Sequence, residues 1–199
     1  MRVLALAYKD IHGRPSEADV DQHPRAWAES NLQFAEFAVF QCLVRKDSGE
    51  VLKVLKDSSH LVSMITGDAT LTAIHVSKEV GIITRPALML SENASSSDRL
   101  KWTHAADDSV LAPYKSRDIN VLVKKYNLCV NRKTLLAAGE VDDMIWKNLN
   151  HIRVFARMTP ELKEKVLTLL KTHDHHTRMC GDSGNDIVRT MAIMNEYNR

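Results

Sequence analysis

Glycine is scarce in this 199-residue chain. There are seven, about half the usual ~7%. With only five prolines beside them, a collagen-like or linker-like chain is excluded. Cysteine is rarer still. Cys42, Cys129 and Cys180 are odd in number, widely spaced and form no C-x-x-C, so neither a zinc ribbon nor a disulfide framework is implied. That usage fits a reducing compartment. No run of ~20 apolar residues is present, so nothing spans a bilayer. The longest apolar region, Phe34 to Val44, is broken by Glu36 and Gln41. The N-terminus has no basic stretch followed by an apolar one, which predicts no signal peptide. An excess of one charge is missing too. Lys and Arg number 27 against 25 Asp and Glu, a net of +2. Such a balance gives no field for nucleic acid or a membrane surface, and no nucleic-acid partner is expected. What is present is 44% hydrophobic residues, too many for disorder and enough for one sizeable domain.

Two kinds of segment alternate along the chain. Val3–Tyr8, Leu32–Leu43, His60–Ile65, Ala87–Leu90, Leu128–Val130, Arg153–Phe155 and, weakly, Thr177–Cys180 read as strands. Helical periodicity falls between several of them. Gly49–Lys56 groups Val51, Leu52 and Leu55, and Thr70–Val80 groups Ala73, Val76 and Val80. Pro160–Lys171 is the clearest, with Leu162, Val166, Leu169 and Leu170 on one face and Pro160 suited to the first turn. Strands alternating with short helices argue for βαβ units and a mostly parallel sheet. Residues 9–30 read as a polar excursion, and 91–99 as a serine-rich loop. Asn93-Ala94-Ser95 spells a glycosylation sequon, whose use would need secretion.

Three of the scarce glycines fall in two strand-to-helix turns. In Met64-Ile65-Thr66-Gly67-Asp68, Gly67 permits a tight turn. The Thr66 hydroxyl and the free N–H groups of the following helix can hold an anion there. In Gly181-Asp182-Ser183-Gly184-Asn185-Asp186, two carboxylates four residues apart can converge on a hard cation such as magnesium. Each turn taken alone also has an ordinary reading as a capped or solvated turn. Lys163, three residues after Pro160, and Arg157 at a strand end are surface cations unless a phosphate lies beside them. All these elements follow strands, so they should share the carboxyl edge of a parallel sheet, where open α/β folds place ligands. His173, Asp174, His175 and His176 form a polar cluster best read as a solvated loop.

The order of these motifs resembles the P-type ATPases. Residues 64–82 resemble their Thr-Gly-Asp segment, 154–166 their Phe-Ala-Arg segment, and 179–187 their Gly-Asp-Gly-x-Asn-Asp hinge. Residues 2–11 resemble the end of their nucleotide-binding domain. Cys42 before Arg45-Lys46-Asp47-Ser48, then Tyr126-Asn127-Leu128-Cys129-Val130 and His151-Ile152-Arg153-Val154-Phe155, look most like the endoplasmic-reticulum subgroup of the fifth class, the ATP-driven transmembrane-helix dislocases. The resemblance implies an α/β fold: a haloacid-dehalogenase-like Rossmannoid parallel sheet, incomplete, with a short remnant of the nucleotide-binding domain. Residues 1–40 would be that remnant, and 41–199 a phosphorylation domain lacking its first strand. Thr66 and Lys163 would contact an aspartyl phosphate. Arg2, Gly67, Asp68, Arg157 and Asn185 would help bind ATP or order the site. Asp182 and Asp186 would serve magnesium. Implied partners are ATP and the rest of the ATPase with its membrane helices, in the endoplasmic-reticulum membrane with this segment facing the cytosol.

Departures from the family pattern are equally specific. The Asp-Lys-Thr-Gly-Thr motif with the phosphorylated Asp is absent. The sheet would lack the strand that carries it, leaving an unpaired edge, and the isolated chain is expected to be inactive. Ala69 replaces the usual Asn, Ser183 a Gly, and Val188-Arg189-Thr190 a Gly-Ala-Leu. The segment His175-His176-Thr177-Arg178 is polar where the family is apolar. A degenerate, non-catalytic module binding Mg-nucleotide or a partner is the alternative. A small phosphatase using Asp19 and Asp21 is a third, disfavoured because Pro15-Ser16-Glu17-Ala18 before them is no apolar strand.

Overall fold

In the computed structural model, which describes residues 2–11, 23–40, 44–93, 99–172, 176–180 and 189–195, the chain divides into two compact units, Met1–Leu43 and Val44–Arg199. The first contains β1 (Arg2–Tyr8), a short helix α1 (Arg25–Ala28) and β2 (Gln33–Phe40). The two strands pair antiparallel from Arg2 opposite Phe40 to Tyr8 opposite Gln33, with an irregularity between Leu6 and Ala7. Leu4, Phe34, Phe37 and Phe40 of this ribbon are each more than half exposed.

The second unit opens with α2 (Ser48–Asp57), β3 (His60–Thr66) and α3 (Thr70–Glu79). Then come β4 (Ala87–Glu92), β5 (Leu100–His104), β6 (Val110–Pro113) and α4 (Ile119–Leu122). It continues with β7 (Asn127–Asn131), α5 (Arg132–Val141), α6 (Met144–Lys147) and β8 (Ile152–Ala156). It finishes with α7 (Pro160–Thr172), β9 (His176–Cys180) and β10 (Arg189–Asn195). The strands form one sheet in the order β6-β5-β4-β7-β8-β3-β10-β9. Its centre, β4-β7-β8-β3, is parallel throughout.

Period-two alternation in the central strands explains the layers. Met64 of β3, Cys129 of β7 and Val154 of β8 face Ala73 and Ile74 of α3. Val62 joins the same face and meets Leu52 of α2. Ile65, Leu88, Leu128, Val130 and Phe155 face the other way, onto Leu135 and Ala138 of α5, Ile145 of α6, and Leu162 and Val166 of α7. Helices thus cover both faces of a mostly parallel sheet, the haloacid-dehalogenase-like Rossmannoid class that the motif order implies. Burying each such Leu, Ile or Phe side chain contributes about 1.5–3 kcal/mol. Cys129 is part of this core, and burial pushes its thiol up to about 12, so it behaves as a small apolar side chain.

The seven strands read from periodicity are all present, as are the three helices. Three strands, β5, β6 and β10, and four helices, α1, α4, α5 and α6, add to them among the described residues. β5 and β6 form an antiparallel extension beyond β4. β10 is the larger surprise. β3 and β9 point the same way, yet they are not neighbours; β10 lies between them, antiparallel to both. The edge of β3 expected to be unpaired is therefore paired along seven residues, from Arg189 opposite Thr66 to Asn195 opposite His60. Residues 173–175 of the histidine cluster and 94–98 of the serine-rich loop lie outside the described residues.

Candidate functional site

The carboxyl ends of β3 and β8 are where the chain does something unusual. β3 and β8 are parallel neighbours, with Met64 beside Val154 and Ile65 beside Phe155. Their pairing continues past both strand ends. The Met158 N–H donates to the Thr66 carbonyl at 3.0 Å, and the Arg157 N–H to the Asp68 carbonyl at 3.0 Å. These two bonds join the Thr66-Gly67-Asp68 turn to the Arg157-Met158 turn. The latter requires Arg157 to sit at φ 55°, a left-handed conformation that costs a non-glycine residue about 1–3 kcal/mol. Within the first turn, the Asp68 N–H donates to Thr66 Oγ1 at 3.1 Å, which closes a local hydroxyl turn.

Two helices start at this edge. α3 begins at Thr70 after Ala69, which offers no side-chain cap. Its first N–H groups therefore lack the usual local acceptor. α7 begins at Pro160, and its first turn carries Lys163. The Lys163 N–H donates to the Thr159 carbonyl at 3.0 Å, and its side chain is only 1% exposed. A long cationic side chain is almost never this buried without a partner, and Lys163 is engaged here. Thr66 is also buried, at 3% exposure, while Arg157 is exposed.

Of the residues singled out from sequence, Thr66, Gly67, Asp68 and Arg157 meet at this edge, with Lys163 on the helix that leaves it. Arg2 belongs to β1 in the other unit. Asp182, Asn185 and Asp186 lie outside the described residues. Among the described residues, no group of three or more His, Cys, Asp or Glu side chains could hold a metal ion.

Sequence reading missed the neighbouring wall. A cleft of about 960 Å3 is lined by Ala69, Thr70 and Leu71 of the α3 start, by Asn131, Arg132, Lys133, Leu136, Ala137 and Glu140 along β7–α5, and by Glu92, Arg99 and Arg157. The signal for α5 was there: Asn131 and Thr134 have capping-box spacing. Asn131 Oδ1 accepts from the Thr134 N–H at 3.0 Å, and Thr134 Oγ1 accepts from the Asn131 N–H at 3.2 Å. Asn131→Ala should lower unfolding free energy by about 1 kcal/mol in urea denaturation.

No family model matches the chain. Individual proteins do. The chain is 40% identical over 188 residues to "Probable manganese-transporting ATPase PDR2" of Arabidopsis thaliana, covering 94% of this chain and 15% of that protein. It is 36% identical to "Endoplasmic reticulum transmembrane helix translocase" of Schizosaccharomyces pombe and 37% identical to the protein of the same name in Saccharomyces cerevisiae. Those matches cover 94% of this chain, and 15% and 16% of the two relatives. The class that the fold and motif order define is the P-type ATPases. Within it, the chain is homologous to a segment of the fifth class, the endoplasmic-reticulum translocases. It spans about 15% of the length of the relatives it matches. Among the described residues, no helix is long and apolar enough to cross a membrane.

Proposed function

We propose that this chain is the ATP-handling cytosolic segment of a fifth-class P-type ATPase of the endoplasmic-reticulum membrane. The observation that carries the reading is the pair of backbone hydrogen bonds joining the Thr66-Gly67-Asp68 turn to Arg157-Met158, one turn before buried Lys163. Residues 1–40 belong to its nucleotide-binding domain and 41–199 to its phosphorylation domain. The division of the chain at Leu43/Val44 supports that boundary.

Phosphoryl transfer asks the protein for position and positive charge. Thr66 offers a hydroxyl, and Lys163 an ammonium that burial keeps strong toward a phosphate oxygen. Asp68, Gly67, Arg157 and Arg2 help hold ATP. Asp182 and Asp186, with Asn185 ordering them, supply the carboxylate oxygens that magnesium prefers. Magnesium would neutralise phosphate oxygens when bound. The strand that carries the phosphorylated aspartate in the whole enzyme is expected outside this segment, since no Asp-Lys-Thr-Gly-Thr motif is present in it. The cargo of the whole protein is, by its relatives' names, a transmembrane helix or a metal ion.

Calorimetry with MgATP, paired with a phosphate-release assay, tests this reading. The expected result is binding without turnover, because no Asp-Lys-Thr-Gly-Thr motif is present. A folded, monodisperse chain with no affinity for MgATP or inorganic phosphate would sink the nucleotide reading.

A further inference from the structure

The cleft beside the Arg157 turn is lined by four cations and two carboxylates. Two of the cations are matched within it. Lys133 Nζ lies 2.7 Å from Glu92 Oε2, and Arg99 Nη1 lies 3.6 Å from Glu140 Oε2. The side chains of Arg132 and Arg157 make no hydrogen bond or ion pair among the described residues. Two positive charges are thus left open to the cleft.

Arg132 is also misplaced for helix stability. It is the first residue of α5, where the helix dipole disfavours a cation, and no acidic residue shares that turn. It is not needed as a cap, because the Asn131–Thr134 box already closes the helix end. Its field reaches Glu161, in the same first turn of α7 as Lys163. The Glu161 carboxyl is held below its ordinary range mainly by its own amide and the Thr159 hydroxyl, with Arg132 adding to this. Arg132 lines the same cleft as Arg157, from the β7 side.

The placement makes a row. Thr66 ends β3, Arg157 follows β8, and Arg132 follows β7, and these strands are adjacent. Neighbouring strands lie ~4.8 Å apart. Two cations and a hydroxyl spaced along three strand ends match an extended chain of phosphates better than a single compact anion. We propose that Arg132 is a second cation of a polyphosphate subsite. With Arg157 it grips the phosphate chain of the nucleotide whose terminal phosphate reaches Thr66 and Lys163. The inference rests on the nucleotide reading above and adds a residue to it.

The test is calorimetry on the full chain with tripolyphosphate, MgATP and AMP. Arg132→Gln should weaken tripolyphosphate and MgATP by about tenfold, a loss of one charge-assisted contact. AMP binding should stay within twofold, and Arg132→Lys should recover part of the loss. Lys147→Gln, which removes an exposed cation of α6 away from the cleft, should change nothing. Melting followed by circular dichroism should show no loss for Arg132→Gln, since it removes an unfavourable cation from a helix start. If Arg157→Gln weakens tripolyphosphate but Arg132→Gln does not, the inference fails and the nucleotide reading stands. An equal loss for AMP overturns the phosphate assignment. Absence of any binding by the unaltered chain removes the nucleotide reading and this inference together.

Discussion

Lys163→Met should cost this chain about 10- to 100-fold in affinity for MgATP while leaving it folded. A charge-assisted hydrogen bond contributes about 1.5–3 kcal/mol, which sets that range. The effect should be large because Lys163 is 1% exposed, so water screens its charge little. Methionine keeps the length and apolar stem, so the packing of Leu162 and Val166 against the sheet should survive. Losing a buried ammonium also removes its desolvation cost, which offsets part of what its present partner loses. Glu164→Gln, on the exposed side of the same helix, should bind as the unaltered chain does. Equal MgATP affinity for Lys163→Met and the parent would show that Lys163 is a structural cation. Near-ultraviolet dichroism on both proteins separates that outcome from misfolding.

The sequence was most legible where one period ruled a segment. The apolar runs of β3, β7 and β8 and the Leu162, Val166, Leu170 face of α7 carry the core, and the structure buries them. The Thr66-Gly67-Asp68 turn was legible because glycine is scarce and it follows such a run, whereas the 181–186 turn lies outside the described residues. Other parts were hidden for identifiable reasons. α5 opens with Asn131-Arg132-Lys133 and contains Gly139, so its polar start and weak helix former masked Leu135 and Ala138. β5 alternates Leu100 and Trp102 with polar residues over only five positions and β6 is only four residues long, and the pairing of β5 onto β4 and of β6 onto β5 is a tertiary decision. The left-handed Arg157 could not be read at all. Nothing about arginine favours φ 55°; the two hydrogen bonds to the Thr66 and Asp68 carbonyls impose it. The cleft was invisible for the same reason, since it needs α5 and the α3 start to share an edge.

Deleting residues 189–199 should have the largest effect on the fold. β10 pairs with β3 along seven residues and with β9 along five. It alone connects β9 to the rest of the sheet in the strand order. Without it, β3 presents an open edge beside buried Val62 and Ile65, and β9 loses its strand neighbour. Amide exchange across residues 60–66 should then speed up by at least tenfold, and the shortened chain should tend to associate through that edge. A second measurement does not depend on the shortened chain staying soluble. Met191 lies opposite Cys180 in the β10–β9 register. Facing residues of an antiparallel pair stand within reach of a short thiol cross-linker. In a Cys42→Ser background, Met191→Cys should therefore cross-link to exposed Cys180, while buried Cys129, with its thiol at about 12, stays unmodified. Absence of the 180–191 cross-link, together with unchanged exchange at 60–66 after deletion, would remove β10 from the sheet. Its presence would show that residues 189–195 close the β3 edge, antiparallel to both of their neighbours. Any segment that pairs with β3 in their place would have to displace residues 189–195. Binding of such a segment should then release β10, read as faster exchange at 189–195 while exchange at 60–66 stays slow.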